Sequence, residues 1–124
     1  MIAEKRLFAL RGATRCKNDP QDIVEQVAAL YDKLLLQNKL EEPDLVSVLF
    51  SVTPDLDAMN PAGALRKSGR AGDAALFSLQ ESAAKGGLEK TIRVLIHCYM
   101  PWGAVPCYVY RNGAEVLRPD KTEP

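Results

Sequence analysis

A chain of 124 residues with 16 basic and 16 acidic side chains carries no formal net charge at pH 7, so it lacks the basic face that bulk nucleic-acid binding needs. A hydrophobic fraction of 47% and a charged fraction of 26% are ordinary for a globular chain, and no apolar run approaches a membrane span. One domain over 1–124 is expected, able to bury a modest core but not to build a deep private pocket, which makes a site between subunits a natural arrangement.

The start, Met1-Ile2-Ala3-Glu4-Lys5-Arg6, lacks the continuous apolar segment of a signal peptide. The cysteines Cys16, Cys98 and Cys107 are odd in number and irregular in spacing, and give neither a disulfide framework nor a zinc pattern. A reduced, cytoplasmic protein is expected. No internal repeat, low-complexity tract or interdomain linker is evident.

Residues 6–11 are apolar and stop at Gly12, which predicts a buried strand. Asp19-Pro20 is a capping acid followed by proline at the first helical position, and Ile23, Val27, Leu30, Tyr31 and Leu34 keep helical spacing after it. The pattern predicts an amphipathic helix over 20–38 whose apolar stripe packs into the core. Residues 45–53 are rich in β-formers and predict a strand ending at Pro54-Asp55. Asn60-Pro61 repeats the cap-plus-proline device, and Gly69 bounds a short helix near 61–68. A strand over 74–80, a turn at Gly86-Gly87 and a long central strand over 90–99 follow. Tyr108 to Leu117 reads as a hairpin around Asn112-Gly113. The charged, proline-containing tail from about 118 to 124 is expected to be mobile. The order predicts an α+β domain, a mixed sheet with one long helix over one face. The other face needs a cover, which oligomerisation would supply.

Four arginines stand beside turn signals: Arg11 before Gly12, Arg66 in Leu65-Arg66-Lys67-Ser68-Gly69, Arg93 between Ile92 and Val94, and Arg118 before Pro119. Joined to the acid Glu81, they suggest a small di-anionic ligand that also carries a hydroxyl, because the guanidinium fork matches carboxylate geometry. Taken singly, each has a plainer reading. Arg93 fits the exposed face of an antiparallel sheet; Arg11, Arg66 and Arg118 fit surface charges, and Glu81 a turn carboxylate. Tyr108 and Tyr110 share a strand face, which usually means packing but can add a hydrogen bond to an anion. His97 has no serine or cysteine arranged beside it as a nucleophile pair and reads as structural. Asp55 and Asp57 read as turn residues rather than metal ligands, and no glycine-rich phosphate loop is present. Spacing alone therefore gives an anion-binding α+β domain without a proton-transfer pair or nucleophile. That absence is compatible with catalysis by positioning and charge stabilisation.

Taken together, the segments Leu10-Arg11-Gly12-Ala13-Thr14, Ser51-Val52-Thr53-Pro54-Asp55-Leu56, Pro61-Ala62 through Arg66, Gln80-Glu81, Gly86-Gly87-Leu88 with Ile92-Arg93-Val94, and Val109-Tyr110 with Val116-Leu117-Arg118-Pro119-Asp120 resemble the Bacillus-type (AroH class) chorismate mutases. They run in the family's order at near-family spacing over almost the whole chain. The resemblance implies a homotrimeric pseudo-barrel with an active site at each subunit interface. It implies conversion of chorismate to prephenate, toward phenylalanine and tyrosine, by a pericyclic rearrangement that needs no metal or organic cofactor.

By the same resemblance Arg93 sits near the breaking ether oxygen, Arg11 and Tyr110 hold a carboxylate, and Glu81 accepts from the ring hydroxyl. Arg66 and Arg118 line the entrance, with Leu76, Phe77, Ser78, Asn60, Ala62, Gly63 and Leu117 completing the substrate wall. Ser78 replaces a common cysteine, Asn60 a common aromatic residue and Gly63 a common lysine. Ser78 and Glu81 have opposite strand parity, so both can face one ligand only if the strand ends or bulges between them. Two rival readings stay open: a non-catalytic di-acid-binding trimer, and an enzyme like the trimeric enamine/imine deaminases.

Overall fold

The computed structural model describes residues 4–118. Five strands form one mixed sheet: β1 (Lys5–Arg15), β2 (Leu45–Val52), β3 (Ala75–Gln80), β4 (Thr91–Pro101) and β5 (Val109–Arg111), in the order β3-β2-β4-β1-β5. The middle strand β4 is antiparallel to both neighbours, and the outer pairs β2–β3 and β1–β5 are parallel.

Two helices, α1 (Pro20–Gln37) and α2 (Pro61–Lys67), lie on the same side of this sheet. The cover expected from one long helix is thus shared between a long helix and a short one. Both begin as their sequences predict. Asp19 accepts from the Asp22 amide at 3.0 Å, and Asn60 accepts from the Ala62 and Gly63 amides at 2.9 and 3.2 Å. These bonds satisfy donors that a helix start leaves orphaned.

Strand alternation sorts the side chains. Phe8 and Leu10 of β1, Val48 and Phe50 of β2, and Ile92, Val94, Ile96, Cys98 and Met100 of β4 are buried against Ile23, Val27, Leu30, Tyr31 and Leu34 of α1 and Leu65 of α2. The odd-numbered residues of β1 and β4 face the other way. That second face carries Leu7, Phe77, Leu79 and Tyr99, each 47–59% exposed, and is a largely apolar surface over which no helix of the described residues lies. Among the described residues no helix is long and apolar enough to cross a membrane.

Two expectations are corrected. The first strand does not stop at Gly12 but continues to Arg15, with Gly12 opposite both Val94 and Val109. A side chain at Gly12 would place its Cβ 2.8 Å from the Val109 carbonyl oxygen and 3.0 Å from Leu34 Cδ1. The glycine therefore admits β5 and α1 rather than a ligand.

The hairpin at Asn112-Gly113 is absent. The two residues take positive φ angles of 56° and 95°, as a tight turn requires, but the chain then enters a 3-10 turn (Ala114–Leu117). The Asn112 side-chain amide donates back to Thr14 Oγ1 at 3.1 Å and Gln26 Oε1 at 2.8 Å, and Ala114 is buried against Ala13 and Tyr110. Tertiary contacts, not a returning strand, take up this turn. The expected behaviour of the tail beyond Arg118 lies outside the described residues.

Candidate active site

Arg93 projects from β4 onto the uncovered face. Its register partners are Ser51 on β2 and Ala13 on β1, and Ala13 is in turn opposite Tyr110 on β5. Ser51, Arg93, Ala13 and Tyr110 thus form one row across the sheet. Arg11 lies two residues from Ala13 on the same face, in register with Leu95.

Glu81 enters from the end of β3. Its amide donates to the Val52 carbonyl at 2.7 Å, continuing the parallel ladder of β3 with β2 one residue past Gln80. Two residues beyond Leu79, Glu81 falls on the Arg93 face by the same alternation, and its Oε2 lies 2.7 Å from Arg93 Nε, with about a third of each side chain exposed. The separation is that of a close ion pair, although the Nε–H does not point along the line to an oxygen. The opposite parity of Ser78 and Glu81 is kept: Ser78 stays on the helix side, opposite Phe50, while Glu81 lies on the Arg93 face.

The Arg93–Glu81 pair is a wall common to two cavities. One, of about 350 Å³, also contains Arg11, Leu49, Ser51, Leu79 and Leu95. The other, of about 560 Å³, runs under the loop after β3 and is bounded by Thr53, Asp55, Ser82, Gly86, Gly87 and Leu88. Two arginines and a carboxylate beside apolar strand residues can orient a small molecule with separated anionic and hydroxyl groups.

The remaining predicted site residues lie elsewhere in the chain. Asn60 and Ser78 line a third hollow, of about 340 Å³, between α2 and the edge strand β3. The Ser78 hydroxyl donates to Asn60 Oδ1 at 2.8 Å and accepts from the Ala62 amide at 3.2 Å. Asn60 thus caps α2 while lining this hollow beside Leu56, Met59 and Leu79. Ala62 and Gly63 form the first turn of α2, and Arg66 near its end donates to the Ala74 carbonyl at 3.3 Å.

Leu76 is half-buried and Phe77 exposed on β3. Leu117 and Arg118 close the opposite edge beyond β5, with the Arg118 guanidinium 5.9 Å from the centre of the Tyr108 ring. The chain thus brings together Arg93, Glu81 and Arg11, sets Tyr110 on the same row, and leaves the α2–β3 set and the Leu117–Arg118 set at the two sheet edges.

Burial pushes the thiols of Cys16 and Cys98 up to about 11, with nearby carboxylates adding to the effect, so neither is an activated nucleophile. His97 Nδ1 lies 2.9 Å from Ser47 Oγ on the uncovered face, a local pairing far from Arg93 along β4. The residue whose part the sequence understates is Asp55. Only the tertiary structure shows how many donors converge on it from elsewhere in the chain.

The model of the family "Chorismate mutase type I" matches residues 7–121. The chain is 34% identical over 114 residues to the chorismate mutase AroH of Bacillus subtilis, covering 90% of this chain and 89% of that protein. It is 35% identical over 115 residues to the chorismate mutase AroH of Thermus thermophilus, covering 90% and 93%. A solved chorismate mutase from Clostridium thermocellum superposes with a TM-score of 0.80 at 39% identity, over 88% of this chain and 98% of that one. With a guanidinium–carboxylate pair at the head of an uncovered sheet face and relatives aligned over nine-tenths of its length, this chain belongs to the type I chorismate mutase family.

Proposed function

We propose that the protein is a chorismate mutase, an isomerase that rearranges chorismate to prephenate in the synthesis of phenylalanine and tyrosine. The observation that carries this reading is the Arg93–Glu81 pair, 2.7 Å apart and open to two cavities, in a chain of this family. The reaction is unimolecular: an ether bond breaks as a carbon–carbon bond forms, and negative charge builds on the ether oxygen. No nucleophile or proton transfer is needed. The chain's own residues have to hold the substrate compact and meet the developing charge.

Arg93 supplies that electrostatic term. Its Nε side is engaged by Glu81, which orients the fork and leaves the other guanidinium nitrogens for the ether oxygen and a carboxylate. Glu81 also accepts from the ring hydroxyl. Arg11 and Tyr110 hold a substrate carboxylate.

A homotrimer with an active site at each interface completes the arrangement. The uncovered face supports this, because Leu7, Phe77, Leu79 and Tyr99 on it are 47–59% exposed and large apolar faces of this kind are normally covered by a partner. In such a trimer the α2–β3 edge of one copy, with Asn60, Ala62, Gly63, Arg66, Leu76, Phe77 and Ser78, faces the Arg93 row of the next. Leu117 and Arg118 stand at the entrance. We read the whole chain as one cytoplasmic domain, with no organic cofactor or metal in the reaction.

The test is the purified protein with chorismate, followed by the loss of its absorbance and by identification of prephenate. Arg93→Ala should lower the rate by roughly 100- to 1000-fold, the usual effect of deleting one such donor. Arg93→Lys should also do badly, since a point charge does not copy the fork. Chorismate loss no faster than the spontaneous rate would sink the reading. Tight di-acid binding without turnover would then point to a binding protein, and hydrolysis of an imino acid to a deaminase.

A further inference from the structure

We propose that Asp55 is a positioning residue that pins the root of the cavity loop and so holds Arg93 in its working register against Glu81. The loop between Glu81 and Thr91 forms the wall of the 560 Å³ cavity, and both of its ends are tied to one short segment, Val52 to Asp55. At the first end the Glu81 amide donates to the Val52 carbonyl at 2.7 Å. At the second, the Lys90 amide donates to both carboxylate oxygens of Asp55, at 3.1 and 2.9 Å.

The Thr53 hydroxyl donates to Asp55 Oδ1 at 2.5 Å and accepts from the Thr91 amide at 3.0 Å. The Thr53 amide donates to the Thr91 carbonyl at 3.0 Å. Thr53 and Thr91 are both buried, and Arg93 is two residues further along β4. Lys90 has a φ of 47°, a left-handed conformation that a lysine adopts only when its surroundings hold it there.

The donor count explains why this position is an acid. The Thr53 hydroxyl donates to one oxygen and the Lys90 amide lies between both, so a group whose two oxygens both accept suits the site best. An asparagine that kept its oxygen towards Thr53 would set its NH2 donor against the Lys90 amide, in place of the bond to Oδ2. The Lys90 bend would slacken, and with it the register of β4 beside Glu81. Asp55 shares the wall of the 560 Å³ cavity with Glu81 and Arg93, but its carboxylate is engaged by the Thr53 hydroxyl and the Lys90 amide, so it acts through Thr53, Lys90 and Thr91, not by touching substrate.

The inference rests on the reading of Arg93 as the charge-stabilising group. Chorismate turnover by the wild-type protein tests that reading first, and its absence would remove both. Given turnover, D55N should lower kcat roughly tenfold with KM held within about twofold, because displacements of about 1 Å in a catalytic group cost up to about 100-fold. Assays should run well below the melting temperature of each variant. T53V, which removes the hydroxyl link between Asp55 and Thr91, should behave alike and serves if D55N does not fold. In an R93K background D55N should cost little more. E42Q, which loosens a distant loop, provides a variant of lowered melting temperature with unchanged kcat. Wild-type kcat in folded D55N would overturn the proposal. So would a full tenfold loss retained in the R93K background, or a fall in KM, which would make Asp55 merely a repelling charge near a di-anion.

Discussion

Glu81 Oε2 and Arg93 Nε meet at 2.7 Å although their residues belong to strands separated by β2 in the sheet. The contact exists because alternation past Leu79 puts Glu81 on the same face as Ser51 and Arg93, just beyond the end of β3. The pair is about one-third exposed, so its worth to stability is small, within about 1 kcal/mol. Its worth to orientation is larger. Glu81→Gln should therefore leave the denaturant midpoint nearly unchanged while lowering kcat/KM roughly 10- to 100-fold, the span of a charged hydrogen bond lost from the transition state. A large loss of stability with normal turnover would contradict this division.

Gly12 answers to packing. Its missing side chain would meet Val109 O at 2.8 Å and Leu34 Cδ1 at 3.0 Å, closer than real Cβ contacts allow. Backbone on one side and core on the other leave little room to yield, so Gly12→Ala should destabilise the fold by about 1–3 kcal/mol through overpacking. The strand β5 that carries Tyr110 would be pushed from β1. A thermal melt and kcat/KM, measured together, should fall together. A melt equal to wild type would show that the sheet edge relaxes freely.

Asn60 and Ser78 can be separated by experiment. Asn60 caps α2 and accepts from the Ser78 hydroxyl at 2.8 Å. Asn60→Ala removes the cap and should cost about 0.5–2 kcal/mol, whereas Asn60→Asp keeps an acceptor at the helix start and should restore most of it. Ser78→Ala removes only the second partner and should cost less than Asn60→Ala in urea unfolding. Equal losses would mean that the hydroxyl, not the cap, fixes this corner.

Tyr31 sets an alkaline limit. Its hydroxyl donates to the Glu42 carboxylate, which also accepts from the Ala71 amide at 2.5 Å. Burial above all, and then the bond to Glu42, raise the Tyr31 pKa well above its ordinary 10. A raised pKa means that the folded state keeps a proton the unfolded chain gives up. The contribution is whole below about pH 10 and declines as pH rises further, at roughly 1.4 kcal/mol per pH unit. Urea unfolding between pH 9 and 11.5 should show this decline in the wild type and lose it in Tyr31→Phe, which has no proton to give.

The elements written in short-range chemistry were legible from the sequence. Asp19-Pro20 and Asn60-Pro61 start helices where their caps predict, because a cap acts within three residues. The β-formers of residues 45–52 and 91–101 give the central strands. The hairpin failed because its local signal is only a turn preference. Asn112 and Gly113 adopt the turn, but whether a strand follows is decided by what lies beside it, and there Thr14 and Gln26 engage Asn112.

By itself the sequence determined the inventory: which segments are helix or strand, that four arginines and Glu81 were candidates for a di-anion site, and, through its motifs, the family. The tertiary structure decided which of these meet. It joined Arg93 to Glu81 and set Arg11 and Tyr110 on the same face. It left Asn60, Arg66 and Ser78 at the α2–β3 edge and raised Asp55 from a turn residue to an anchor. The reason is physical. Periodicity and capping are fixed within a few residues of chain, whereas strand order and strand ends are set by how distant segments pack, and they alone fix which side chains share a face.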